Sequence, residues 1–144
     1  MRNSKKYIGA LVVLLSGFFV GGCATPAGKA FEMNESQVKL RSMQTRAFDT
    51  TDKQKMMQTV ISTMQDLEFV IDKADLTLGS ITGTKFLGNA VVTMSVTVRA
   101  RGEKQLLVRA NAQFGLTSVD DPATYQDFFT SLEKAMFLSA QQVD

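Results

Sequence analysis

Residues 91–114 read Val-Val-Thr-Met-Ser-Val-Thr-Val-Arg-Ala-Arg-Gly-Glu-Lys-Gln-Leu-Leu-Val-Arg-Ala-Asn-Ala-Gln-Phe. The first arm alternates, with Val92, Met94, Val96 and Val98 on one side and Thr93, Ser95, Thr97 and Arg99 on the other. Gly102-Glu103 turns the chain. The second arm then alternates again, Leu106, Val108, Ala110, Ala112 and Phe114 against Leu107, Arg109, Asn111 and Gln113. In a strand, successive side chains point to opposite faces, so this run predicts an antiparallel hairpin with one buried face and one wet face. An isolated hairpin is marginal in water and needs more strands and a covering layer.

The flanking sequence supplies both. Thr51-Asp52-Lys53-Gln54 has the form of a capping box, in which the Thr51 hydroxyl serves one orphan amide and Gln54 reaches back to another. Met56, Met57, Val60, Ile61, Met64 and Leu67 follow at helical spacing, with Lys53, Lys55, Gln58, Ser62 and Gln65 opposite, which predicts a helix over 52–67. After the hairpin, Asp121 suits an N-cap and Pro122 a first helical position, and Tyr125, Phe128, Phe129, Leu132 and Met136 form an apolar stripe for a second helix. Met43–Phe48 reads as a first, edge strand. Phe69-Val70-Ile71 is a short apolar run broken by the polar residues 72–75, and Leu78–Phe86 is a strand with glycine irregularities, followed by a turn at Gly88-Asn89.

The resulting order is β-α-β-β-β-β-α. Two amphipathic helices and one half-wet sheet predict an α+β two-layer sandwich. Its antiparallel sheet has four to five strands, and both helices cover the face bearing Val92, Val96, Val108 and Phe114. Residues 42–144 form this single domain.

Composition narrows the function classes. The 144-residue chain has no histidine and no tryptophan, and its one cysteine is Cys23. Without histidine the commonest general base and metal ligand is missing, and a serine triad of the usual kind cannot be built. One cysteine allows no disulfide within the chain. The formal charge of +2 is carried by the N-terminus: Arg2, Lys5 and Lys6 precede Cys23 and no acidic residue does, so 13 basic and 14 acidic side chains remain beyond it. A near-neutral domain without a clustered basic patch argues against a nucleic-acid partner.

The N-terminus carries its own signal. Basic Arg2, Lys5 and Lys6 lead into the uncharged stretch Tyr7–Val20, whose 14 residues fall short of the roughly 20 a membrane-crossing helix needs. Small residues Gly21 and Gly22 then precede Cys23. With Val20-Gly21-Gly22-Cys23 as its lipobox, the chain resembles a bacterial lipoprotein precursor; leucine is the commoner residue at the place of Val20. The stretches Met43–Thr50 and Leu67-Glu68-Phe69 are similar to those of small outer-membrane lipoproteins.

The resemblance implies a signal peptide over 1–22, diacylglyceryl transfer to the Cys23 sulfur, cleavage before Cys23 and acylation of its new amino group. Ala24 rather than aspartate after the cysteine implies the outer membrane, with the domain facing the periplasm. Residues 23–41, small and polar with Pro26 and Gly28, read as a flexible tether. Such a tether has a root-mean-square span of about 20–25 Å.

Three clusters invite chemical readings. Asp66, Glu68, Asp72 and Asp75 match no cation-loop spacing and read as solvated helix-end and turn residues. Gly79, Gly83 and Gly88 lack the lysine–hydroxyl pair of a phosphate loop. The eight methionines fall largely on faces assigned to the core. The wet sheet face is the candidate binding surface, with Thr97, Arg99, Arg109, Asn111 and Gln113 as its residues. The expectation is a non-enzymatic, lipid-anchored envelope protein without cofactor or metal. It would serve a periplasmic assembly as an accessory or scaffold subunit, or alternatively bind a glycan, peptidoglycan or lipid headgroup.

Overall fold

In the computed structural model, residues 36–141 are described, with side chains as far as 138. The elements in chain order are α1 (residues 36–43), β1 (Thr45–Phe48), α2 (Lys53–Asp66), β2 (Val70–Asp75), β3 (Ser80–Leu87), β4 (Ala90–Arg101), β5 (Gln105–Phe114), β6 (Thr117–Ser118) and α3 (Pro122–Gln141). The fold is α+β: an open antiparallel sheet with its helices on one face. Across it the strands run β1-β5-β4-β3-β2, and the two-residue β6 lies on the same edge of β5 as β1. The expected four to five strands are thus six. β6 is too short to leave a periodic trace in sequence.

The β4–β5 hairpin is the centre of the sheet, as its alternation predicts. Val96 pairs with Ala110 and Val98 with Val108, all four buried, while Thr97 pairs with Arg109 on the opposite face. Against the apolar face pack Met56, Val60 and Met64 of α2 and Tyr125, Phe128, Phe129 and Leu132 of α3, none of them accessible. Phe128 and Phe129 meet edge to face, with ring centroids 5.1 Å apart. The methionines on α2 are core residues. Phe114 departs from expectation: it is 52% exposed, because it stands on the last rung of β5, opposite half-buried Val92, where the helical layer ends.

Helix α2 starts one residue later than the capping-box reading implies. Asp52 is its N-cap, and its Oδ1 accepts from the Lys55 amide at 2.9 Å. A carboxylate at this end also favours the helix dipole, an advantage a hydroxyl lacks. Helix α3 begins as read: Asp121 accepts from the amides of Ala123 and Thr124. Strand β2 continues through the polar residues 72–75, with a register shift between Ile71 and Lys73. It is an edge strand, exposed at most positions, so polar side chains do not end it. Gly83, opposite this bulge, has an ordinary backbone conformation; the Met64 methyl and the Val70 carbonyl occupy the space that a side chain there would need.

Residues 36–43, which straddle the expected boundary between tether and domain, are helical, and Leu40 and Met43 pack against the core. Arg46 holds β1 to α3: its guanidinium stacks over the Phe129 ring at 4.8 Å and pairs with Glu133 at 2.8 Å. Val20-Gly21-Gly22-Cys23 and the remainder of the signal-peptide reading lie outside the described residues. Among the described residues no helix is long and apolar enough to cross a membrane.

Candidate functional site: the open sheet face

Helices α2 and α3 cover one side of the sheet and leave the other to the side chains of alternate strand residues. The pairing register sets these side chains in rows. One row runs Asp75, Ser80, Thr97, Arg109, Thr45; the next runs Lys73, Thr82, Ser95, Asn111; a third runs Val70, Thr84, Thr93, Gln113, Ser118. The five residues expected from sequence therefore share one surface. Thr97 and Arg109 face each other directly, Asn111 and Gln113 lie one and two rungs along, and Arg99 is diagonal to Arg109.

Three residues of β3 belong to this face and were not legible as such: Ser80, Thr82 and Thr84. Opposite Thr97, Ser95 and Thr93 they complete a double column of hydroxyls, with Thr82 Oγ1 and Ser95 Oγ 3.5 Å apart. The signal was present as Ser-x-Thr-x-Thr at period two. It was hidden because one intervening position is Gly83 rather than an apolar residue.

The face is electrically uneven. Arg99 and Arg109 are exposed, and neither forms an ion pair among the described residues. Diagonal cross-strand neighbours stand about 7–8 Å apart. Two guanidinium forks rooted at that separation present donors to a carboxylate, a phosphate or backbone carbonyls. Asn111 ties the face to the interior, because its Oδ1 accepts from the buried Gln44 amide at 3.2 Å.

The carboxylate cluster does not converge. Glu68 pairs with Lys85 at 2.8 Å, Asp72 accepts from the Thr84 hydroxyl at 2.6 Å, and Asp75 accepts from the Leu78 amide at 2.9 Å. The hydrogen bond from Lys85 and the charge of its ammonium hold the Glu68 carboxyl below its ordinary range, against a small opposing effect of burial. No group of three His, Cys, Asp or Glu with metal-site geometry occurs among the described residues. Thr84-Lys85 lies inside β3, not at a strand-to-helix loop, so the glycines do not form a phosphate cradle.

A second surface lies where the helical layer stops. Leu67, Phe69, Leu87, Val92 and Met94 line a recess of about 220 Å³, with Lys85, Thr124 and Asp127 at its polar wall. It borders a shallower apolar surface of Leu87, Ala90, Val91 and Phe114.

No protein-family model matches this chain. Comparison with curated proteins found no match either.

Proposed function

We propose that the protein is a lipid-anchored envelope lipoprotein that uses its open sheet face as an accessory or scaffold subunit of a periplasmic, outer-membrane-associated assembly. In this reading Cys23 carries the acyl chains, residues 1–22 are removed, and no catalysis is involved. The observation that carries the reading is a six-stranded sheet with helices on one side only and an ordered array of hydroxyl, amide and guanidinium groups on the other. An open hydrogen-bonding face laid across several strands suits contact with another protein better than it suits a small molecule, which prefers a concavity. Two or more acyl chains, at about 0.8 kcal/mol per buried methylene, would keep the domain at its membrane.

Two measurements test this. Cys23→Ser should leave an unprocessed precursor that takes up no labelled fatty acid; normal labelling would remove the anchor. Pull-down of the acylated protein should recover an envelope partner that is lost when Ser95, at the centre of the face, is changed to arginine. Recovery of nothing above the Cys23→Ser control would count heavily against a scaffold role.

The diagonal pair Arg99 and Arg109 favours a second reading, a module that binds a glycan, peptidoglycan or a lipid headgroup through its anionic groups. Arg99→Ala or Arg109→Ala should then abolish sedimentation with peptidoglycan or binding to headgroup-bearing vesicles. Both residues are exposed, so the melting temperature should move by less than about 4 °C. Unchanged binding by both variants would dismiss this reading.

A further inference from the structure

The two ends of the sheet are chemically opposite. At one end the β4–β5 turn contains Glu103 and Lys104 and is flanked by Arg99 and Arg101. At the other end lie the β3–β4 turn at Gly88-Asn89 and the β5–β6 turn at Gly115-Leu116, joined by a hydrogen bond from the Gly115 amide to the Val91 carbonyl at 3.3 Å. No charged residue occurs from Phe86 through Val98, or from Ala110 through Val119. Five large apolar side chains are exposed here: Phe86 (67%), Leu87, Val91, Phe114 and Leu116, the last fully exposed.

These five surround the end of the sheet. Phe86 and Val91 pair with each other and continue the open face beyond Thr84 and Thr93. Leu87 and Phe114 belong to the helix-covered face but lie past the helical layer, next to the recess of Leu67, Phe69 and Met94. Leu116 sits in the turn between β5 and β6. A protein partner reading a groove or a face would want the apolar groups on one side. An apolar collar on both sides of the tip, with Lys85 and Asp127 behind it at the wall of the recess, fits a medium that closes around it.

We propose that this end of the sheet docks into the interfacial zone of a lipid bilayer, with Leu116 leading and Phe86, Val91 and Phe114 around it. The proposal rests on the anchor reading in one respect, that acylated Cys23 brings the tip to the surface. Twelve residues lie between Cys23 and Ser36, a reach of at most about 45 Å. The register also brings the chain into β1 from the tip side, since Thr45 faces Arg109 and the strand then runs away from Phe114. With the tip inserted, the strands stand steeply on the membrane and the row of Thr97 and Arg109 is held out in water.

The test places a bimane label at Leu116→Cys and, separately, at Glu103→Cys in the full-length protein, using the unsubstituted chain as the blank for Cys23. Each protein is reconstituted in phosphatidylethanolamine–phosphatidylglycerol vesicles with or without brominated acyl chains. The expected result is blue-shifted emission at position 116 and bromolipid quenching severalfold stronger there than at 103, with the reverse order for aqueous iodide. Val91→Cys should behave as 116 does. Equal iodide quenching at 116 and 103 overturns the proposal. So does protection of 116 in native membranes but not in lipid vesicles, which would assign the tip to a protein partner.

Fatty-acid labelling on the same preparations separates the two readings. An acylated chain with a water-exposed Leu116 refutes docking and leaves the anchor. An unacylated chain whose label is still quenched by added bromolipid vesicles supports docking and refutes the anchor.

Discussion

The hydroxyl of Tyr125 stands in for a missing piece of strand. Strand β1 pairs with β5 at residues 106–109 and β6 at 113–114, which leaves the edge of β5 open between them. There the Ala110 amide donates to the Gln44 carbonyl at 2.9 Å, and the Ala112 amide donates to the Tyr125 hydroxyl at 3.3 Å. That hydroxyl in turn donates to the Val119 carbonyl at 2.6 Å and accepts from the Gln44 side-chain amide at 3.1 Å. Buried polar groups must be paired somewhere, and one tyrosine oxygen answers two backbone groups and a side-chain amide. Tyr125→Phe keeps the ring but strands the Ala112 amide and one Gln44 hydrogen. It should cost about 1–3 kcal/mol in urea unfolding, with m unchanged, and should speed hydrogen exchange at Ala112. A cost below about 0.5 kcal/mol would mean that another group replaces the hydroxyl. From sequence Tyr125 reads only as an apolar stripe residue. Its polar role depends on Gln44, 81 positions away.

At the scale of the element, α2 shows how a helix is stopped. The Phe69 amide donates to the Met64 carbonyl and the Glu68 amide to that of Gln65, each at 2.9 Å, which is the Schellman pattern. The residue that must turn left-handed is Glu68, at φ 67°, where glycine is usual. Its ion pair with Lys85 helps to hold it there. Because Lys85 lowers the folded-state pKa of Glu68, the stabilisation is present above the ordinary carboxylate range and is lost as pH falls through the lowered value. Thermal melts of the wild type and Glu68→Gln should therefore differ at neutral pH, only slightly for so exposed a pair, and converge on acidification or in high salt. A gap that widens in acid would rule out this account. Helix existence was legible because the spacing of Met56, Val60 and Met64 is a local pattern. The cap was less so, since Thr51 and Asp52 are both good N-cap residues and only the observed bond to Lys55 chooses between them. For β2 the polar run 72–75 hid a strand that exists through its pairing with β3.

For the whole molecule, the decisive contact is between layers. Phe128 is fully buried between the helical layer and the sheet. Phe128→Ala should cost about 3–5 kcal/mol in equilibrium unfolding; less than about 1 kcal/mol would mean that α3 does not seal the core. The sequence by itself determined the α+β class, the hairpin at the centre of the sheet and the two covering helices. These rest on periods of 2 and 3.6, which any window of neighbouring residues displays. It also supplied the lipobox reading of Cys23, which lies outside the described residues, and the five residues of the open face. Only the tertiary structure decided which residues end up beside which. The β3 hydroxyls joined the face through pairing, Tyr125 closed the edge because β1 and β6 do not meet, and Phe114 became exposed because the helices stop before the sheet does. Burial at the end of a strand depends on how far the opposing layer extends, and alternation along that strand carries no information about it.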